Sequence, residues 1–205
     1  MIKVLKDIDP ITLTEDYDVL LVGTNIYNKL ANGWQFDVKM KYPKTHEVNL
    51  STKYADEAKI GKYVTVNTTN EPVICLLYIN KSYFRPDLNK CFLEYDALEE
   101  CLYRINIEFK GKNILCPIIG SSQFDGNGDK DRIIGVFEKI CTNINVTLCD
   151  YKQISLKDRR SDMIKKIVSA KEKAKETKDK TEYFALVQER KKFDEKIKLI
   201  NKLII

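Results

Sequence analysis

The sequence predicts an α/β domain of three layers, with helices on both faces of a mixed central sheet, followed by a helical C-terminal extension. Three observations predict it. Through residue 152, short β-branched apolar runs alternate with amphipathic stretches, the pattern of a sheet covered on both sides. One run, Val73 to Ile79, is apolar without a break, as a strand buried on both faces must be. From Ser155 onward glycine and proline are absent and Lys, Glu, Ala and Gln dominate, which marks a change of architecture. The expected domains are therefore 1–152 and 153–205.

The elements follow in order. Ile2 to Lys6 and Tyr17 to Val22 are predicted strands, being short, β-branched and apolar. Trp34 to Tyr42 fits a helix that Pro43 ends, because proline disfavours helical geometry in the residue before it. Tyr63 to Val66 alternates as a strand does. Leu93 to Ile107 places Leu98, Leu102 and Ile105 at helical spacing. Asn113 to Ile119 is a strand running into Gly120. Asp131 to Cys141 is a helix whose apolar face is Ile133, Ile134, Val136, Phe137 and Ile140, and Asn145 to Cys149 closes the series. In the extension, Ile164, Ile167 and Val168 form one stripe, continued by Ala170 and Ala174. Phe184, Val187, Phe193, Ile197, Ile200 and Ile204 form a second. Two charged amphipathic helices are expected, as a hairpin or as a contact between copies of the chain.

Composition narrows the function classes. The chain of 205 residues is 43% hydrophobic and 32% charged, values of a globular protein with a charge-rich part. No apolar run approaches the roughly 20 residues that span a bilayer. The start, Met1 to Asp7, alternates like a strand and lacks the apolar core of a signal peptide, so a cytoplasmic protein is expected. Of the six cysteines, Cys75, Cys116, Cys141 and Cys149 lie in apolar segments, and Cys91 and Cys101 do not. None is spaced C-x-x-C, and the sole histidine, His46, has no cysteine nearby. Reduced thiols are expected, with no zinc site and no cofactor. The net charge of +5 is unevenly spread: from Ser155 onward 16 basic and 9 acidic residues give +7, and the other 19 and 21 give −2. A basic helical tail suits nucleic-acid phosphates, but its mixed signs and few aromatics suit a solvated face or an oligomer contact better.

Ligands of such sheets bind at the carboxyl ends of the strands. Two strand-to-helix loops there are rich in glycine, asparagine and hydroxyl residues: Val22 to Gly33, and Ile119 to Asp129. A loop of small residues at a helix N-terminus offers backbone N–H groups to phosphate. The same composition also suits ordinary turns. Asp125, Asn127, Asp129 and Asp131 alternate as in a calcium loop, but Val136 stands where that loop needs a glutamate.

Asn25 through Pro43, read with Ile118-Ile119-Gly120-Ser121, resembles the macro domain family over roughly residues 1–152. Lys6-Asp7-Ile8 resembles the end of the family's first strand. Leu30 to Gly33 and the helix up to Tyr42-Pro43 resemble its glycine loop and first helix. Pro117 to Asp125 resembles its second phosphate loop. The nearest likeness is to the branch of ADP-ribose 1″-phosphate phosphatases and ADP-ribosyl-glutamate hydrolases. The resemblance implies that Asp7, with Ile8 beside it, receives the adenine amino group and that Asn25 faces the distal ribose. It implies that Ala31, Asn32, Gly33, Gly120, Ser121, Ser122 and Gln123 line the diphosphate, with Phe124 packed on the distal ribose. Asp125 and Lys81 match an aspartate and a lysine that act in glutamate hydrolases. The sequence departs from the family at Lys6, at Ala31-Asn32, and in having no counterpart of the phosphatase histidine.

Two functions are thereby expected: a hydrolase of ADP-ribose derivatives, or a module that binds ADP-ribose, a cyclic isomer or an ADP-ribosylated protein without chemistry. Contact with nucleic acid or protein through the tail is the third.

Overall fold

The computed structural model describes residues 1–30, 33–67, 71–82, 90–122 and 125–151, with scattered residues between 161 and 198. The chain divides into two units, Met1–Gln153 and Ile154–Ile205.

In the first unit the elements are β1 (Ile2–Lys6), β2 (Val19–Asn25), α1 (Gly33–Lys41), α2 (Lys44–Ser51), β3 (Tyr63–Val66), β4 (Val73–Asn80), α3 (Tyr95–Glu108), β5 (Asn113–Pro117), α4 (Lys130–Ile140) and β6 (Asn145–Asp150). The strands form one mixed sheet in the order β1-β6-β5-β2-β4-β3. All neighbours pair in parallel except β3 with β4. The five parallel strands therefore end on one edge.

The period of two sorts side chains between two cores. Leu20, Val22, Ile74 and Leu76 pack with Trp34, Val38 and Tyr42 of α1 and its end. Val19, Leu21, Cys75, Leu77 and Ile79 pack with Leu98, Leu102 and Ile105 of α3 and with Ile133 and Phe137 of α4. Each fully buried side chain of this kind contributes about 1.5–3 kcal/mol. Every residue of β2 is buried, which is why the central strands read as unbroken apolar runs. Trp34 fixes α1 on the sheet, its indole N–H donating to the Leu21 carbonyl at 2.7 Å.

Three expectations are corrected. Pro43 ends α1 but does not end helical backbone: at φ −57° and ψ −33° it leads straight into α2. Proline is well suited to open a helix, where its missing N–H has no partner to lose. α2 gave no apolar stripe to read because the residues it buries are Thr45 and Asn49. Cys101 is a fifth buried cysteine, lying on the inner face of α3 between Leu98 and Leu102. Finally, β2 runs from Val19 to Asn25, three residues past its expected end at Val22. That shift carries Asn25 to the tip of the strand.

In the second unit the described residues, among them Ile164, Val168, Val187 and Ile197, are helical. The rest of the two expected stripes lies outside the described residues. Among the described residues no helix is long and apolar enough to cross a membrane.

Candidate functional site

The carboxyl edge gathers two loops around one asparagine. Asn80 ends β4 and pairs with Asn25 at the end of β2, where the register shifts by one residue. Its carbonyl accepts from the N–H of Ile26 at 3.2 Å, and its side-chain amide donates to the carbonyl of Asp125 at 2.7 Å. Asn80 is 3% exposed and its Oδ1 is buried without a hydrogen-bond partner. One residue thus ties the β2–α1 loop to the β5–α4 loop and keeps an unused acceptor between them.

The β5–α4 loop closes on itself. Gly120 has φ +81°, open to glycine at little strain. The buried Asp125 carboxylate accepts from the N–H of Gly120 at 3.2 Å and of Ser122 at 3.0 Å. The Ser122 carbonyl in turn receives the N–H groups of Asp125, Gly126 and Asn127, and Gly128 N–H donates to the Gly120 carbonyl at 2.8 Å. A Cβ on Gly126 would sit 2.5 Å from that same carbonyl oxygen. The N–H of Ser121 is turned to Ile118, at 3.2 Å. Outside the loop, the N–H groups of Phe92 and Leu93 donate to Gly126, and the Tyr95 hydroxyl receives Asp129 N–H at 2.8 Å. The Arg132 guanidinium stacks 3.7 Å from the Tyr95 ring centre. Gln123 and Phe124 lie outside the described residues.

The β2–α1 loop is built differently. The Asn25 side chain serves its own turn: Oδ1 accepts from Tyr27 and Lys29 N–H, and Nδ2 donates to the Lys29 carbonyl. Asn28, at φ +57°, is gripped from outside. Its Nδ2 donates to the Thr52 carbonyl at 2.8 Å, and its Oδ1 accepts from Lys59 at 2.5 Å and Thr52 at 3.1 Å. The Lys59 ammonium also lies 4.6 Å from the Tyr78 ring centre. Ala55 N–H donates to the Ile26 carbonyl, closing the clamp. Gly33, at φ +46°, is buried and opens α1. Ala31 and Asn32 lie outside the described residues.

Of the remaining expected residues, Asp7 and Ile8 directly follow β1 and are exposed. Asp7 adopts φ +57° and donates its N–H to Asp150, whose carboxylate binds Lys130 of α4 at 2.5 Å. The end of β1 lies three strands from the end of β2, about 14 Å across the sheet. Lys81 follows Asn80 on the same edge, half-exposed, its ammonium 3.8 Å from the Glu94 carboxylate. The structure thus brings Gly120, Ser122 and Asp125 together, sets Asn25 and Lys81 beside Asn80, and leaves Asp7 and Ile8 at the far end. Sequence reasoning missed Asn80, although a polar residue closing an apolar strand at its carboxyl end was a readable signal. Asn28, Thr52 and Lys59 gave no such signal, because the two segments meet only in the fold.

Burial raises the thiols of Cys101 and Cys141 to about 12 and that of Cys149 to about 11. None of these is a nucleophile near neutrality. Among the described residues no group of three or more His, Cys, Asp or Glu could hold a metal ion. A cleft of about 740 Å³ lies at the opposite end of the sheet, near Tyr17, Tyr42, Pro72 and Phe109. Four of its five charged residues are paired, Lys41 with Glu15 and Lys112 with Asp18, and it adjoins the amino ends of β2 and β4, away from both loops.

No family model and no curated protein matches the sequence. Solved structures do. A protein of unknown function from Bacteroides thetaiotaomicron is 16% identical, over 73% of this chain and 98% of its own, with a TM-score of 0.58. The macrodomain of Mycobacterium tuberculosis DarG is 16% identical over 74% and 99%, with a TM-score of 0.55. Thermosipho africanus DarTG in complex with ADP-ribose is 14% identical over 64% and 38%, with a TM-score of 0.50.

Proposed function

Starting from a chain that has the macrodomain fold, we propose that the carboxyl edge of its sheet binds ADP-ribose or a close derivative. The observation that carries this is Asn80: a buried amide oxygen with no partner, at the meeting point of two small-residue loops. A buried acceptor left empty costs about 1–3 kcal/mol, and a ribose hydroxyl would satisfy it. Support comes also from the neighbour solved with ADP-ribose. In this arrangement Asp7 takes the adenine amino group, Gly33 and the β5–α4 loop hold the diphosphate, and Asn25 and Phe124 flank the distal ribose. Ala31, Asn32, Ser121 and Gln123 complete the lining.

The Asp125 carboxylate already occupies the Gly120 and Ser122 amides. A ligand phosphate therefore gains those donors only by displacing it. Hydrolysis, of ADP-ribose 1″-phosphate or of ADP-ribose linked to a protein carboxylate, is the second possibility. It is favoured by the placement of Lys81 next to Asn80, which is bonded to Asp125. Lys81 Nζ would attack the anomeric carbon as its bond to the phosphate or carboxylate oxygen breaks and that group leaves. Asp125 would take the proton from the attacking amine, and water would then cleave the lysine–ribose bond and restore the amine.

The test is isothermal titration of the full chain with ADP-ribose, with AMP as control. Micromolar binding of ADP-ribose, about −8 kcal/mol, with much weaker binding of AMP is expected. Asn80→Ala should weaken it about tenfold. A folded protein giving no heat with ADP-ribose overturns the proposal. For hydrolysis, no turnover of either substrate by the full chain would leave a binding module, and turnover unchanged in both Asp125→Ala and Lys81→Ala would overturn the roles given to these two residues.

A further inference from the structure

The cleft at the amino ends of β2 and β4 is remote from the proposed pocket, about 20 Å away along β2. Its volume of about 740 Å³ is that of a small-molecule site. Val19 and Val73 line it where the two strands begin, and Tyr17, Tyr42, Pro72 and Phe109 give it apolar and largely aromatic walls. Tyr42 is 4% exposed and its hydroxyl donates to Thr14 Oγ1 at 2.9 Å, so what it offers a ligand is its ring. One cation already lies against that ring, the Lys41 ammonium at 5.7 Å from its centre.

Three carboxylates and two lysines line the same cleft. Asp18 is occupied: it accepts from the Asn113 N–H at 2.9 Å and from Lys112 at 3.2 Å. Glu15 is held by Lys41 at 3.0 Å, and Lys41 also donates to Thr14 at 2.7 Å. Glu71 is left. It is exposed, and among the described residues no partner bonds to it. The unmatched charge of the cleft is therefore negative. A ligand anion would meet only lysines that already have carboxylates. A bare metal ion would find one open carboxylate, short of the six or so oxygens that a hard cation takes.

We infer that this cleft binds a small organic cation, an ammonium group carried on a flat apolar body. The ammonium faces Glu71, and the body is held among Tyr17, Tyr42 and Phe109. Aromatic rings serve both halves of such a ligand, burying its apolar surface and attracting its charge. The site is at the opposite end of the sheet from the two loops, so it does not depend on what the carboxyl edge binds.

The experiment is titration of the full chain with three probes of one shape and different charge: phenethylamine, 2-phenylethanol and 3-phenylpropionate, followed by backbone amide NMR shifts. Phenethylamine should bind in the millimolar range expected of so small a ligand. Its shifts should gather at Val73, Phe109 and Asn113 and be absent at Gly120 and Gly126. The neutral alcohol should bind about threefold to tenfold more weakly and the anion more weakly still. Glu71→Gln, an exposed substitution, should cost phenethylamine about the same factor and leave 2-phenylethanol unchanged. ADP-ribose added to protein saturated with phenethylamine should behave as it does without it, whether it binds or not, so the two sites are judged separately. The proposal is overturned if phenethylamine shifts no amide of the cleft, or if the alcohol or the anion binds as well as the amine. It is also overturned if Glu71→Gln binds phenethylamine as the wild type does.

Discussion

Two loops flank the carboxyl edge, made of the same residue types and held in opposite ways. The β5–α4 loop is held from within by an anion, with the Asp125 carboxylate drawing Gly120 and Ser122 together. The β2–α1 loop is held from outside by a cation, with Lys59 and Thr52 gripping Asn28. The difference teaches which loop can respond to an anionic ligand. A phosphate can substitute for an internal carboxylate and leave the loop's other bonds intact. It has nothing to replace in a loop pinned by a lysine on another segment.

The most severe break should come at Gly126. Alanine there places a Cβ 2.5 Å from the Gly120 carbonyl oxygen and 2.9 Å from its Cα, backbone atoms that cannot rotate away. A loss of about 3 kcal/mol is expected in urea unfolding. A cost below about 0.5 kcal/mol would mean that the loop does not close as described.

Asp125→Ala separates support from chemistry. It strips acceptors from two N–H groups in a buried site and should destabilise the protein by about 2 kcal/mol. ADP-ribose affinity, measured by calorimetry, should hold or improve, because those N–H groups become free for the ligand. A fall in affinity of tenfold or more would show that the carboxylate itself meets the ligand.

Lys59→Met sharpens the comparison from the other side. Loss of the clamp should cost about 1 kcal/mol, the value of a charge-assisted hydrogen bond discounted for partial exposure. Hydrogen exchange should quicken at Ile26 and Asn28 and stay unchanged at Gly126 and Gly128. Equal acceleration in both loops would show that they are coupled through Asn80.

The smallest effect is on pH dependence. Burial, and then Lys39 and Lys29, hold His46 below its usual 6.5 against the pull of Glu47. The unfolded chain therefore binds a proton at this site more readily than the folded one. Stability from this group is complete above pH 6.5 and is lost as pH falls toward the lowered folded value. Thermal unfolding between pH 5 and pH 7.5 should show that slope, and His46→Gln should flatten it.

Much of the sheet was legible because its signal is local. β1 and β3 have their predicted ends, and β4 runs one residue past its own, since an apolar run or a strict alternation needs no distant partner. α2 was illegible for the opposite reason: it buries Thr45 and Asn49, and Leu50 points to solvent. Cys101 was readable, since it falls at the helical spacing of Leu98 and Ile105, but a cysteine does not announce itself as apolar. Within the site, loop composition marked both segments at the carboxyl edge. It could not separate Asp125 acting on a ligand from Asp125 acting on its own loop. That distinction depends on where two N–H groups point, and backbone direction in a glycine loop is written in φ and ψ rather than in residue type.

The cysteine distribution has a practical consequence. Five of the six thiols are buried and Cys91 alone is exposed. Cys91 stands immediately before Phe92 and Leu93, whose N–H groups hold the Gly126 carbonyl. A thiol-reactive dye would accordingly attach at one place in the unmodified protein, on the segment strapped to the β5–α4 loop. Without deleting a single cysteine, the native chain offers its own fluorescent reporter of whatever rearranges that loop.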